Sequence, residues 1–231
     1  ASNESGTDLF DGTKRDTYYD TAFTSDRLLR ILGTAGEVRA TNILRQYAPD
    51  YDIAVLLVNT TLYGGAGGSL AVASLNASSD DILVHEIGHS FAMLADEYVD
   101  AAAVPVYAPA EFANATQKTA RAELPWVDFI LDATPVPTPI PNPTTNTDAN
   151  YVGHWTGAHY RATGFYRPVY DSTMRTLGRP FGPVNLRAFA SALHRLNLNN
   201  ATAAPARLAI SAPTASVPVA GRLTFVASAD G

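Results

Sequence analysis

The sequence predicts a mixed α/β (α+β) domain, on three observations. Two short apolar runs, at 52–59 and 70–75, have the length and side chains of strands. Residues 80–93 have helical apolar spacing behind a Ser-Asp-Asp start. Residues 185–196 carry apolar side chains on one helical face.

Taken in order, residues 26–47 show helix-like spacing (Leu28, Leu29, Leu32, Val38, Ile43, Leu44), with Gly33 and Gly36 expected to divide it into two pieces. DIAVLLVN (52–59) predicts a buried strand, and YGGAGG (63–68) a flexible turn before a second strand, LAVASL. Ser79, Asp80 and Asp81 suit the positive end of the helix that follows. Residues 99–150 read as irregular. Five prolines between Pro135 and Pro143 predict an extended surface loop there. In the helix at 185–196, Leu186, Phe189, Ala190, Leu193 and Leu196 form the apolar face. The segment 201–231 changes to two alternating stretches joined by Pro and Gly, as at the start of an Ig-like β-sandwich module or in a terminal hairpin. The expected division is therefore 1–200 as a catalytic domain and 201–231 as a β-rich segment.

Composition removes several functions. The 231 residues carry a net charge of −6, and the only lysines are Lys14 and Lys118. Such a chain is a poor partner for nucleic acid or anionic lipid. No apolar run reaches the roughly 18–20 residues of a membrane span. With no cysteine there is no thiolate catalysis and no Cys-based zinc or iron–sulfur site. Any zinc must be held by His and carboxylates. Five Asn-X-Ser/Thr sequons, at Asn3, Asn59, Asn76, Asn114 and Asn200, suit a secreted protein if the host glycosylates.

Chemistry concentrates at His85-Glu86-Ile87-Gly88-His89, an H-E-x-x-H pattern. Histidines four apart share a helix face, about 5–6 Å between Cβ atoms, so both imidazoles can meet one ion. Glu86, about 100° round the helix, can reach a metal-bound water without binding the metal. A catalytic zinc has three protein ligands and one open position. The third ligand is expected from Asp96, with Glu97 as the alternative and His159 a weaker one. His194 reads as structural.

HEIGHSFAMLADEY resembles the active-site segment of the IgA peptidase family, secreted zinc metallopeptidases. VNTTLYGGAGGSLAVAS, VGHWTGAHYRATGFYRP and STMRTLGRPFGPV are similar to further segments of that family, together covering about 50–196. The resemblance implies a metzincin-like fold: an upper subdomain with a twisted mixed sheet and the active-site helix, and a lower one with a Met-turn at Met174 and a C-terminal helix. Relatives often carry Gly near Met93 and Cys at the positions of Ser172, Gly182 and Asn185. The metzincin third ligand comes six residues after the second His, whereas here the first acid comes at seven. Tyr160 and Tyr166 fall in matching segments, and Tyr166 with Arg167 are the candidates for substrate or oxyanion contact.

The expectation is a secreted or cell-surface, monomeric zinc (Zn2+) endopeptidase acting on protein or glycoprotein, with residues 64–69 forming the upper rim of its cleft. The alternative is a non-proteolytic glycoprotein- or surface-binding module on the same scaffold, using Trp126, Tyr151 and Trp155.

Overall fold

Strand β5 (Ala71–Ser74) is built from small side chains, all buried, because it is the central strand of a three-stranded sheet ordered β3-β5-β4. Strand β3 (Val55–Val58) pairs with it in parallel, Val55 opposite Ala71. Strand β4 (Gly65–Ala66) pairs on the other side, antiparallel, Gly65 opposite Ala73. The computed structural model describes residues 3–24, 29–31, 33–103, 110–140, 148 and 150–200, side chains excepted at 29–35 and 197–200. Segment 201–231, expected to open an Ig-like module, lies outside the described residues. The chain divides into two units, Ala1–Ala192 and Leu193–Gly231.

The described architecture is mixed α+β, with small sheets and three helices. Strands β1 (Thr21–Phe23) and β2 (Leu29–Ile31) form an antiparallel pair, and helix α1 (Gly33–Tyr47) follows. Helix α2 (Ser79–Ser90) packs on β5 and β4. Strands β6 (Trp155–Ala158) and β7 (Arg161–Arg167) make a second antiparallel ribbon, and helix α3 (Gly182–Asn200) ends the described chain. Among the described residues, no helix is long and apolar enough to cross a membrane.

Several local expectations are overturned, each by a tertiary neighbour. The stretch expected as two helical pieces is a strand and one helix. Pairing of Phe23 with Leu29 and Thr21 with Ile31 takes the first apolar residues into β2, and Gly33 begins α1 instead of breaking it. DIAVLLVN is a strand but not a buried one. β3 is an edge, leaving Val55 and Leu57 exposed. The glycine-rich turn contains β4. Part of the proline loop is packed in: Thr138 is buried, accepts the His154 backbone N–H at 2.7 Å, and donates its own to the His154 carbonyl at 2.8 Å. Residues 141–147 of that loop lie outside the described residues.

Helix α3 is rotated from its expected face. Val184, Asn185, Ala188 and Ala192 are buried, while Leu186 and Leu193 are about half exposed. Asn185 sets the rotation, because its side-chain amide donates to the buried Glu97 carboxylate at 3.1 Å. A polar anchor fixes which face turns inward, and small residues then allow close packing there.

Helix α2 ends where Met93 adopts a left-handed backbone, φ +57°, while its N–H still bonds the His89 carbonyl at 3.2 Å. That conformation costs a non-glycine residue about 1–2 kcal/mol, and the exposed Met93 side chain offers little packing in return. Met93→Gly is expected to stabilise the fold by about 0.5–1 kcal/mol, after the larger unfolded-state entropy of glycine is subtracted. Urea unfolding checks this, and a lower midpoint refutes it.

His154 is buried, stacked on Tyr166 with ring centroids 4.0 Å apart. Burial lowers its pKa from 6.5 to about 4, against a weaker backbone hydrogen bond at Lys118. Below pH 6.5 the unfolded chain therefore takes up a proton that the folded chain refuses, until the folded group titrates near pH 4. His154 should cost about 3 kcal/mol of stability as pH falls from 6.5 to 4. His154→Gln should flatten that part of the stability–pH curve, measured by denaturant midpoints at matched pH.

Candidate metal centre and its pocket

Helix periodicity puts His85 and His89 one turn apart on α2, with ring centroids 4.7 Å apart and planes at 84°. Each ring is oriented from behind. His85 Nδ1 donates to the Thr173 carbonyl at 2.9 Å, and His89 Nδ1 to the Leu94 carbonyl at 2.7 Å. With Nδ1 carrying the hydrogen, each neutral ring presents the Nε2 lone pair forward. The two Nε2 atoms lie 3.0 Å apart.

The turn at Met93 sends the chain back, so that Asp96 Oδ1 comes 3.0 Å from His85 Nε2 and 3.3 Å from His89 Nε2. Oδ1 is buried and, among the described residues, has no hydrogen-bond partner. The ligand atoms of His85, His89 and Asp96 lie within 4.8 Å of one another. Two imidazole lone pairs and an orphaned carboxylate oxygen converging on one point form a donor set that fits a divalent cation, and the nitrogen–oxygen chemistry suits zinc. Electrostatics agree. Burial would lower both histidine pKa values, but Asp96 outweighs it, raising His85 and taking His89 to about 9. Burial would raise the Asp96 pKa, and the two imidazoles instead hold it well below the carboxylate range. The three groups demand opposite charge among them, which a metal supplies in place of protons.

Asp96 is itself held. Its Oδ2 accepts the Tyr160 hydroxyl, and its backbone carbonyl accepts the His159 N–H at 2.8 Å. His159 and Tyr160 both have left-handed backbones, φ +48° and +68°, which turn the two donors onto one residue. Glu97 stands apart from this group. Fully buried, it accepts Asn114 Nδ2 at 2.9 Å, Ser172 Oγ at 2.8 Å and Asn185 Nδ2 at 3.1 Å. Burial raises its pKa against those three donors.

Glu86 is buried at the wall of a cavity of about 340 Å³ that His85 also lines. Glycines make room beside these side chains. A Cβ on Gly65 would lie 3.0 Å from Glu86 Oε1, and one on Gly67 2.5 Å from His89 Cβ. A Cβ on Gly88 would come 2.6 Å from Met174 Sδ. Met174 is fully buried against α2, and its neighbour Thr173 supplies the carbonyl that orients His85.

Other sequence candidates lie elsewhere. Tyr166 stacks on His154 and is not among the residues lining the cavity. The Arg167 guanidinium is buried and donates to the carbonyls of Thr156, Gly157 and Tyr170, which makes it a strut for the β6–β7 ribbon. Burial lowers its pKa to about 10. His159 packs between Phe112 and Phe165, outside the metal-donor group, and His194 is exposed. The sequon at Asn114 cannot carry a glycan in this fold, because that side chain is fully buried and bonded to Ala95 and Glu97. Sequence reasoning missed Tyr63, Tyr98 and Arg175, which line the cavity. A signal was available for two of them: Tyr98 directly follows the Asp-Glu pair, and Arg175 directly follows Met174.

Tyr160→Phe removes one hydroxyl from Asp96 Oδ2 and leaves the ring. Losing such an outer partner is expected to weaken metal affinity by about 10–100-fold. Competition with a chromophoric chelator measures this, and unchanged affinity would show that Asp96 needs no help.

No curated protein matches the chain. The model of the family described as IgA Peptidase M64 matches residues 3–150, a span that contains His85, Glu86, His89 and Asp96. That match covers well over half of the 231 residues, and the chain belongs to the IgA peptidase family, whose members are metallopeptidases.

Proposed function

We propose that this peptidase is a secreted, monomeric zinc endopeptidase that cuts protein or glycoprotein substrates with Glu86 as general base. The observation that carries the reading is the convergence of His85, His89 and Asp96 on one point, with Glu86 on the wall of the cavity that His85 also lines. His85 Nε2, His89 Nε2 and Asp96 Oδ1 would hold the ion. When bound, zinc supplies a Lewis acid that polarises the scissile carbonyl and lowers the pKa of water to about 7.

The chain's own groups perform the proton transfers. The Glu86 carboxylate takes the proton of the attacking water and returns it to the leaving nitrogen. Its burial keeps bulk water from competing for that proton, and Gly65 allows β4 to lie against it. As the edge strand of its sheet, β4 borders the cavity through Gly65, where a peptide in extended form can pair beside Glu86. A metzincin-like layout is supported by α2 packed on its sheet, and by the buried Met174 packed with Ala188 of α3. Secretion is supported by the resemblance to secreted peptidases and by sequons at Asn3, Asn59 and Asn76, none of which is buried.

Metal content and peptide hydrolysis of variants test this reading together. Glu86→Ala should keep its zinc and lose at least about a hundredfold in kcat. Asp96→Ala should lose the zinc, while Glu97→Gln keeps it. A Glu86→Ala protein with both metal and full activity would sink the mechanism.

A further inference from the structure

His85 and Glu86 account for one wall of the cavity by chemistry. The lining also includes Tyr63, Tyr98, Leu177 and Arg175, and among the described residues Arg175 is the only Lys or Arg on it. We propose that Arg175 is a specificity-determining residue that selects peptides with an acidic side chain, Asp or Glu, next to the scissile bond. This rests on the peptidase reading above.

The charge balance around Arg175 favours this use. Three guanidiniums, Arg167, Arg175 and Arg179, share two carboxylates. Arg167 is buried, its charge favoured by Glu97, with its donors committed to backbone carbonyls. Asp171 Oδ2 forms an ion pair with Arg179 Nε at 3.2 Å. Asp171 Oδ1 stands 3.7 Å from Arg175 Nη1, beyond hydrogen-bond distance, and has no hydrogen-bond partner among the described residues. Among the described residues, Arg175 makes one hydrogen bond, from Nη1 to the Tyr170 carbonyl at 3.3 Å, and rests 5.1 Å from the Tyr170 ring centroid.

Arg175 lines the cavity, and of the five N–H donors of its guanidinium, one is committed to a hydrogen bond among the described residues. Their planar fork matches a carboxylate in two-point geometry. The Tyr170 ring and an ion pair with Asp171 at 3.7 Å hold the arginine in place, so a substrate carboxylate meets a preformed partner. A basic side chain in the same place would be repelled. The chain as a whole is acidic, at −6, so any preference for an acidic peptide must come from this local contact and not from long-range attraction.

The test uses the zinc-loaded protein and a parent peptide found by exposing a proteome-derived peptide library to the wild type. That parent is made in matched forms carrying Asp or Asn, and Glu or Gln, at each position flanking the cut. The readout is the ratio of kcat/KM for the acid form to the amide form. Wild type should favour the acid by about tenfold or more at one flanking position, mostly through KM. Arg175→Gln should bring the ratio near one, Arg175→Glu should invert it, and Arg175→Lys should restore part of it. Raising the salt concentration should shrink the wild-type ratio. Zinc content and thermal midpoint are measured alongside, so that a misfolded variant is recognised and the Lys variant decides. If wild type cuts acid and amide peptides equally, or if the preference survives in Arg175→Gln, the role of Arg175 is overturned while the peptidase reading stands. If wild type cuts no peptide in the library, the peptidase reading fails and this inference fails with it.

Discussion

Two imidazole nitrogens 3.0 Å apart, facing one buried carboxylate oxygen, are the constraint around which the rest of the molecule is arranged. Bringing these groups out of water is costly unless a cation joins them. Each is therefore fixed from behind by a backbone or phenolic partner. Thr173 and Leu94 carbonyls orient the rings, and Tyr160 with the His159 N–H holds Asp96. Those partners come from three separate stretches of chain. The path after α2 must turn sharply at Met93, the loop before α3 must bring Thr173 under the helix, and β6 must end in two left-handed residues.

A second polar cluster ties the segment after α2 to Asn114, the Met174 turn and α3. Glu97, next to Asp96, accepts hydrogen bonds from Asn114, Ser172 and Asn185, and its backbone N–H reaches the Met174 carbonyl at 2.7 Å. Burying a carboxylate costs several kcal/mol, while each hydrogen bond to a charged group returns about 1.5–3 kcal/mol. Cost and gain are of similar size, so the cluster contributes specificity of arrangement more than net stability. It admits one register of the 95–97 segment against the Met174 turn and α3. The Ser172 and Asn185 side chains lie 3.4 Å apart and bond to a common acid. Hydrogen bonding thus ties the Met174 turn to α3 in a chain with no thiol.

Much of the site was legible because its logic is short-range. Histidines four apart on a helix face one another whatever surrounds them, so His85, Glu86 and His89 stood out from spacing alone. The third donor was harder. Asp96 and Glu97 are adjacent, and local pattern cannot say which carboxylate turns toward the histidines. The choice follows from partners distant in sequence: Tyr160 is 64 residues from Asp96 and takes its Oδ2, while Asn185 is 88 residues from Glu97 and draws it away. Tyr166 and Arg167 stand out in the sequence because an aromatic and a cation in a matching segment look like substrate contacts. In the fold, one stacks on His154 and the other braces a ribbon.

By itself the sequence determined the mixed α+β class, the helix that presents the histidines, the general-base candidate and the exclusion of thiol chemistry. All of these depend on composition or on periodicity within a few turns. Tertiary structure decided the rest. It made β3 an edge strand instead of a buried one, joined Gly33 to a helix instead of a break, and rotated α3 by the pull of a buried acid on Asn185. It also brought Arg175 to the cavity beside Glu86. Each of these depends on which distant segment lies alongside, and the energy of such contacts is set by burial and by hydrogen-bond partners that local pattern does not carry.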